Sequence, residues 1–152
     1  MRRNGFTVAE LITVVAIIGL LATLVIPVAR FGMKRQKEIE LRDRIRKITT
    51  AIDRYHDYKV RLLLKDPGDV TQGEYPKELE DLVEEIELTD GRKVRLLRVR
   101  DLMDPMTGKK EWATRSSTDD PESSFSDENN VFDVRSTSSA MSLDGKTRYN
   151  EW

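Results

Sequence analysis

Leu11 to Ala29 is a run of 19 uncharged residues with a carboxylate, Glu10, at its head. As a helix rising ~1.5 Å per residue it extends roughly 28 Å, enough to cross a hydrocarbon core of ~30 Å. Few segments limit a fold so sharply, because an apolar helix of this length has to be spent either in a membrane or in a buried core. Glu10 adds a second constraint. A charge beside a membrane segment is costly, and an ionisable residue there marks a functional position. Gly5-Phe6 precedes it. A cut after Gly5 would free the amine of Phe6 one helical turn from Glu10, where amine and carboxylate neutralise each other, most usefully between neighbouring molecules.

The order Gly5-Phe6-Thr7-Val8-Ala9-Glu10-Leu11-Ile12, behind a short leader carrying Arg2 and Arg3, resembles the processing site of type IV pilins and type II secretion pseudopilins. Gly19 and Pro27 also fall where the stem helix of that family commonly carries a glycine and a proline. The resemblance implies that a prepilin peptidase removes residues 1–5, cutting between Gly5 and Phe6 and methylating the Phe6 amine. It implies that Phe6, Glu10, Gly19 and Pro27 serve assembly of a homopolymer. The implied partners are minor pseudopilins, an inner-membrane platform protein, an assembly ATPase and membrane lipid. The implied location is the inner membrane, crossed once, with a head in the periplasm.

A cleavable secretory signal is the competing reading of the apolar run. Such signals have shorter apolar regions, about 7 to 15 residues, ending in a small-x-small cleavage site. Leu24-Val25-Ile26-Pro27-Val28-Ala29 offers no such site. Orientation pulls two ways. The dense basic cluster after the span would keep the following domain in the cytoplasm by the positive-inside rule, whereas the resemblance places it outside. Within the span, Pro27 lacks an N–H and is expected to kink or loosen the helix, or to be tolerated as membrane prolines are. Gly19 would allow close helix approach, without a second small residue at the usual spacing.

Past Phe31-Gly32 the pattern turns amphipathic. Leu41, Ile45, Ile48, Ile52 and Tyr55 recur at spacings of four, three, four and three, with Leu62 one heptad on. One face of a helix is therefore expected over 30–64, ended by Asp66-Pro67-Gly68-Asp69. Tyr75-Pro76-Lys77-Glu78 opens a second, shorter helix with Leu79, Leu82, Val83 and Ile86 as its buried face, closed by a turn at Thr89-Asp90-Gly91-Arg92. Lys93 to Val99 alternates as a strand. Asp104-Pro105-Met106-Thr107-Gly108 is a turn leading to a short strand near Trp112, and Asn130 to Ser136 is the last strand. Ser116 to Asn130, polar and acidic with Phe125 as its one anchor, is a surface loop. The expected fold is α+β: a long N-terminal helix, membrane half 6–29 and amphipathic half 30–64, packed on a small antiparallel sheet in a head of residues 65–152. The stretch from Asp104 to Trp112 resembles the heads of G-type major pseudopilins, and Leu143-Asp144-Gly145 with Tyr149 to Trp152 resembles the tail of a pseudopilin-like subgroup.

The net charge of −1 conceals a polarity. Residues 30–47 hold eight bases against three acids, and residues 101–152 hold eleven acids against six bases. Opposite signs on stem and head favour lateral assembly, or are two solvated surfaces. Cysteine is absent, so no disulfide or thiolate metal site is available. His56 is the only histidine, which leaves no catalytic dyad, and the chain does not read as an enzyme. Nucleic-acid binding is not expected, because no aromatics interleave the basic cluster. Calcium is the candidate ion. The resemblance points to a C-terminal loop site at Asp133, Ser136, Ser138 and Asp144, oxygen donors suited to a hard cation. The competing reading is an ordinary turn at Asp144-Gly145 with Asp133 as a structural acceptor.

The remaining alternatives are a type IV pilin of a surface pilus, used for adhesion, motility or DNA uptake, and a membrane-anchored binding domain that never polymerises.

Overall fold

The computed structural model describes residues 5–61, 63–64, 74–120, 126–127 and 129–152. The leader residues Arg2 and Arg3, the stripe residue Leu62, the expected stop at Asp66 to Asp69 and the loop anchor Phe125 lie outside the described residues.

The described residues form an α+β chain. One helix, α1 (Val8–Val60), is followed by two antiparallel two-stranded ladders: β1 (Ile86–Glu87) with β2 (Lys93–Val94), and β3 (Trp112–Arg115) with β4 (Asp133–Ser136). Short 3-10 turns span Leu79–Leu82, Val99–Leu102 and Tyr149–Glu151. The chain divides into two compact units between Gln36 and Lys37, and α1 contributes to both.

In the first unit, α1 is long and apolar enough to cross a membrane. Its large side chains face outward, among them Leu11 (60% exposed), Ile18 (59%) and Leu21 (57%). The two threonine hydroxyls of the span bond within the helix, Thr13 to the Ala9 carbonyl at 2.8 Å and Thr23 to the Leu20 carbonyl at 2.7 Å. Such back-bonding lets a hydroxyl sit in an apolar medium without an unpaired donor. α1 runs unbroken through Pro27. Proline removes one backbone donor, and the helical hydrogen bonds on either side keep the segment together.

In the second unit the predicted stripe becomes the core. Leu41, Ile48 and Ile52 are fully buried, and Ile45 and Tyr55 pack against them. They meet Leu79, Leu82, Leu97, Leu102, Trp112, Val131, Val134 and Tyr149. The helix stops at Val60, four residues before the expected Leu64. Leu64 instead bridges Leu88, and Thr89 N–H donates to the Leu63 carbonyl at 2.7 Å.

Several sequence expectations are corrected here. The second helix is a single 3-10 turn, Leu79–Leu82, because Ile86 is drawn into β1 opposite Val94. The turn at Asp90-Gly91 therefore closes a hairpin rather than a helix. Gly91 has φ +81°, and the Asp90 carboxylate accepts from Arg92 N–H at 2.9 Å and Arg92 Nε at 2.6 Å. The strand expected over Lys93 to Val99 lasts only two residues, since Leu97 turns into the core and its N–H donates to the Leu82 carbonyl at 2.8 Å. In place of one sheet there are two ladders. The last strand begins at Asp133 rather than Asn130.

The turn before β3 has the expected form. Asp104 N–H donates to the Lys109 carbonyl and Gly108 N–H to the Asp104 carbonyl, both at 2.8 Å, with Gly108 at φ +71°. Trp112 Nε1 then donates to the Leu102 carbonyl at 2.7 Å, giving the buried indole its partner.

Candidate functional site

Two places carry the sequence candidates, one in each unit.

At the head of α1, Thr7 and Glu10 cap each other. Glu10 N–H donates to Thr7 Oγ1 at 3.3 Å, while the Glu10 carboxylate accepts from Thr7 N–H at 3.0 Å and from Thr7 Oγ1 at 3.1 Å. This reciprocal arrangement satisfies donors that a helix N-terminus would otherwise leave open. Thr7 was missed as a site residue, although Thr-x-x-Glu ahead of an apolar run is the signature of such a box. Phe6 stands outside it, 83% exposed. Gly19 faces open space, where an added Cβ would meet nothing within 4 Å. The first unit thus presents a carboxylate anchored on one side by Thr7, beside an exposed aromatic and an uncovered apolar helix.

In the second unit, the calcium candidates are each engaged elsewhere. Along β4 the side chains alternate, so Asp133 and Ser136, three residues apart, point to opposite faces. The Asp133 carboxylate lies 3.9 Å from Arg135 Nε. Ser136 is buried, donating to Asp104 Oδ2 at 2.7 Å and accepting from Ser138 N–H at 3.1 Å. Ser138 Oγ accepts from Ala140 N–H at 3.4 Å. Asp144 closes its own turn, accepting from the Ser142 hydroxyl and from Lys146 N–H at 2.9 Å, with Gly145 at φ +68°. These donors, Ser142 first, hold its carboxyl below the usual range. The structure joins Ser136 to Ser138 and leaves Asp133 and Asp144 with other partners. Among the described residues, no group of three or more histidine, cysteine or acidic side chains is placed to hold a metal.

What fastens the C-terminal loop is a residue the sequence reading counted only as a charge. The Glu38 carboxylate on α1 accepts from Leu143 N–H at 2.6 Å and from the Tyr149 hydroxyl at 2.8 Å. Burial, and then this hydrogen bond, push the Tyr149 hydroxyl well above its ordinary pKa, so it stays protonated and donating. Trp152 packs edge-on to Tyr149, lies under the Arg42 guanidinium at 4.3 Å, and donates to Thr147 Oγ1 at 3.0 Å. Higher up α1, Arg44 pairs with the buried Asp101 and with Glu40 at 3.0 Å. Glu38 is one of three acids among the eight bases of residues 30–47, and nothing in the sequence sets it apart from Glu40 or Asp43.

His56 bonds Glu74 at 2.8 Å and stacks on Tyr75, with ring centroids 4.5 Å apart. It thus serves packing of the head against α1.

No family model, curated protein or solved structure matches this chain.

Proposed function

We propose that this chain is a pilin-like subunit, most like a G-type major pseudopilin, of a filament assembled from the inner membrane. The observation that carries the reading is the head of α1. Gly5-Phe6 stands before a Thr7–Glu10 cap, and an apolar, outward-facing helix follows it. Cleavage after Gly5 by a prepilin peptidase gives Phe6 a free amine, which is then methylated. Glu10 of one subunit pairs with that amine on a neighbour, so that each carboxylate enters the packed helices compensated rather than alone. Gly19 and Pro27 lie along the same helix-packing segment. The head stays in the periplasm, and the filament pushes secreted proteins outward, driven through the platform protein and the assembly ATPase.

Mass spectrometry of the N-terminal peptide, on protein extracted from its native membrane, tests this reading. A chain that begins at Phe6 with one added methyl group is the expected result. An uncut Met1 terminus, or cleavage after Ala29, would remove the amine that Glu10 needs and overturn the reading.

A further inference from the structure

Alongside the second half of α1, a shallow groove gathers one sign of charge. Arg46, Lys47, Arg54, Arg95, Arg98 and Arg100 line it over an apolar floor that includes Ala51 and Leu97, with Asp101 as its only acid among the described residues. Lys47 and Arg95 have ion-pair partners, Lys47 with Asp43 at 2.7 Å and Arg95 with Glu85 at 3.3 Å. Arg46, Arg54, Arg98 and Arg100 are exposed and, among the described residues, have no carboxylate within 4.0 Å. Four arginines left together without counter-charge repel one another, and a fold retains that cost where an anion relieves it.

The same unit carries the complement. Residues 78–90 hold seven acids and no base. Asp81, Glu84, Glu85 and Glu87 line a second groove beside Tyr55 and Ile86. Glu84 is exposed and has no ion-pair partner among the described residues. The two linings meet at the Arg95–Glu85 pair, whose side chains are more than half exposed.

We propose that the basic groove docks the acidic 81–87 segment of a second copy of this chain. The inference rests on the filament reading above, in which copies pack side by side, and it names the surfaces that meet. A second copy fits better than a foreign polyanion for two reasons. Copy-to-copy docking uses both charged surfaces at once and adds no charge beyond the −1 that each chain already carries. Among the described residues the groove also has no aromatic in its lining on which a nucleobase could stack. Arginine suits the task, because its planar fork takes carboxylates two oxygens at a time.

The absence of native cysteine makes the test clean. Full-length chains carrying Arg98→Cys and full-length chains carrying Glu84→Cys are expressed together, treated in their membranes with a short bismaleimide, and compared with either chain alone. Filaments from the same cells are counted by electron microscopy. The expected result is a cross-linked dimer that needs both variants and falls about tenfold when Arg54→Glu and Arg100→Glu are added to the Arg98→Cys chain. Dimer without filaments would uphold the docking and overturn the filament reading. Filaments without the mixed dimer would overturn the docking and leave the filament reading standing. If there is no mixed dimer and added polyphosphate shields Arg98→Cys from maleimide, the groove serves an outside polyanion and the proposal fails. Unchanged melting of the charge-reversed chain confirms that lost cross-linking is not lost folding.

Discussion

The two halves of α1 obey one backbone geometry and opposite packing rules. Before Lys37 isoleucines and leucines such as Ile17 (53% exposed) and Leu20 (69%) face outward, and after it Leu41, Ile48 and Ile52 are completely covered. From Leu11 to Ala29 the first half is uncharged on every side, whereas the second is apolar on one stripe and charged on most of the rest. A helix apolar all round needs a medium or neighbours that are apolar all round, and a striped helix needs only one sheet or loop layer to lie on. The second half finds that layer within the chain. The first half must find it elsewhere.

Four measurements would break or sharpen this contrast. The largest effect is expected at Glu10→Val. The variant should still enter the membrane and melt as the parent does, because the Thr7–Glu10 bonds lie in the first unit and the buried core in the second, but it should form no filaments. Filaments in normal number would refute the charge-pair mechanism. Next, Ile48→Ala should cost the second unit about 2–5 kcal/mol through lost burial and the cavity left behind. Ile17→Ala should leave the thermal midpoint of that unit unmoved. Equal shifts from the two variants would show that the halves are not separate in energy.

A smaller loss, about 1.5–3 kcal/mol, is expected for Tyr149→Phe, which takes a donor from the Glu38 carboxylate. The folded-state pKa of Tyr149 is raised, so its contribution is intact below the unfolded value of about 10 and is lost as pH climbs past it. Denaturant titrations at neutral and alkaline pH should therefore show the parent losing more stability at high pH than the Phe variant. Parallel losses would remove Tyr149 from the account. The smallest effect lies in the acidic loop. Asp127 accepts from Thr118 Oγ1 at 2.7 Å and from Asn129 N–H at 3.1 Å, and these bonds, the Thr118 hydroxyl first, hold its pKa at about 2. With the folded value depressed, the local order it supports is present above the unfolded value of about 3.9 and fades as pH falls toward 2. The Asn129 amide resonance should follow that titration, and a midpoint near 4 would show the carboxylate to be unconstrained.

How much of this could be read from sequence depended on the distance between partners. The stripe from Leu41 to Tyr55, the turn from Asp104 to Gly108 and the membrane-length run are all patterns within a few helical turns, and each appears where its spacing put it. Asp90-Gly91 was read as a turn, but windowed periodicity could not say whether it closed a helix or a hairpin. That choice was made by Val94 pairing with Ile86 and by Leu64 bridging Leu88. The Thr7–Glu10 cap was legible and was overlooked in favour of the Phe6–Glu10 spacing. Glu38 with Tyr149, 111 positions apart, and Arg44 with Asp101, 57 apart, left no local mark. For the calcium candidates, spacing along the chain does not say which way each side chain points. Asp133, Ser136, Ser138 and Asp144 look like a ligand set when aligned as text, but strand alternation turns Asp133 and Ser136 away from each other.

The bond from Glu38 to Tyr149 also sets an order of events during synthesis. The striped half of α1 leaves the ribosome early, yet the tyrosine that covers part of it is made more than a hundred residues later. Until then Leu41, Ile48 and Ile52 have no complete lid. Long-range contacts of this kind close slowly, and uncovered apolar surface in the interval is what chaperones and proteases recognise. For this chain, the period of greatest vulnerability is the time translation takes to travel from the helix to Tyr149.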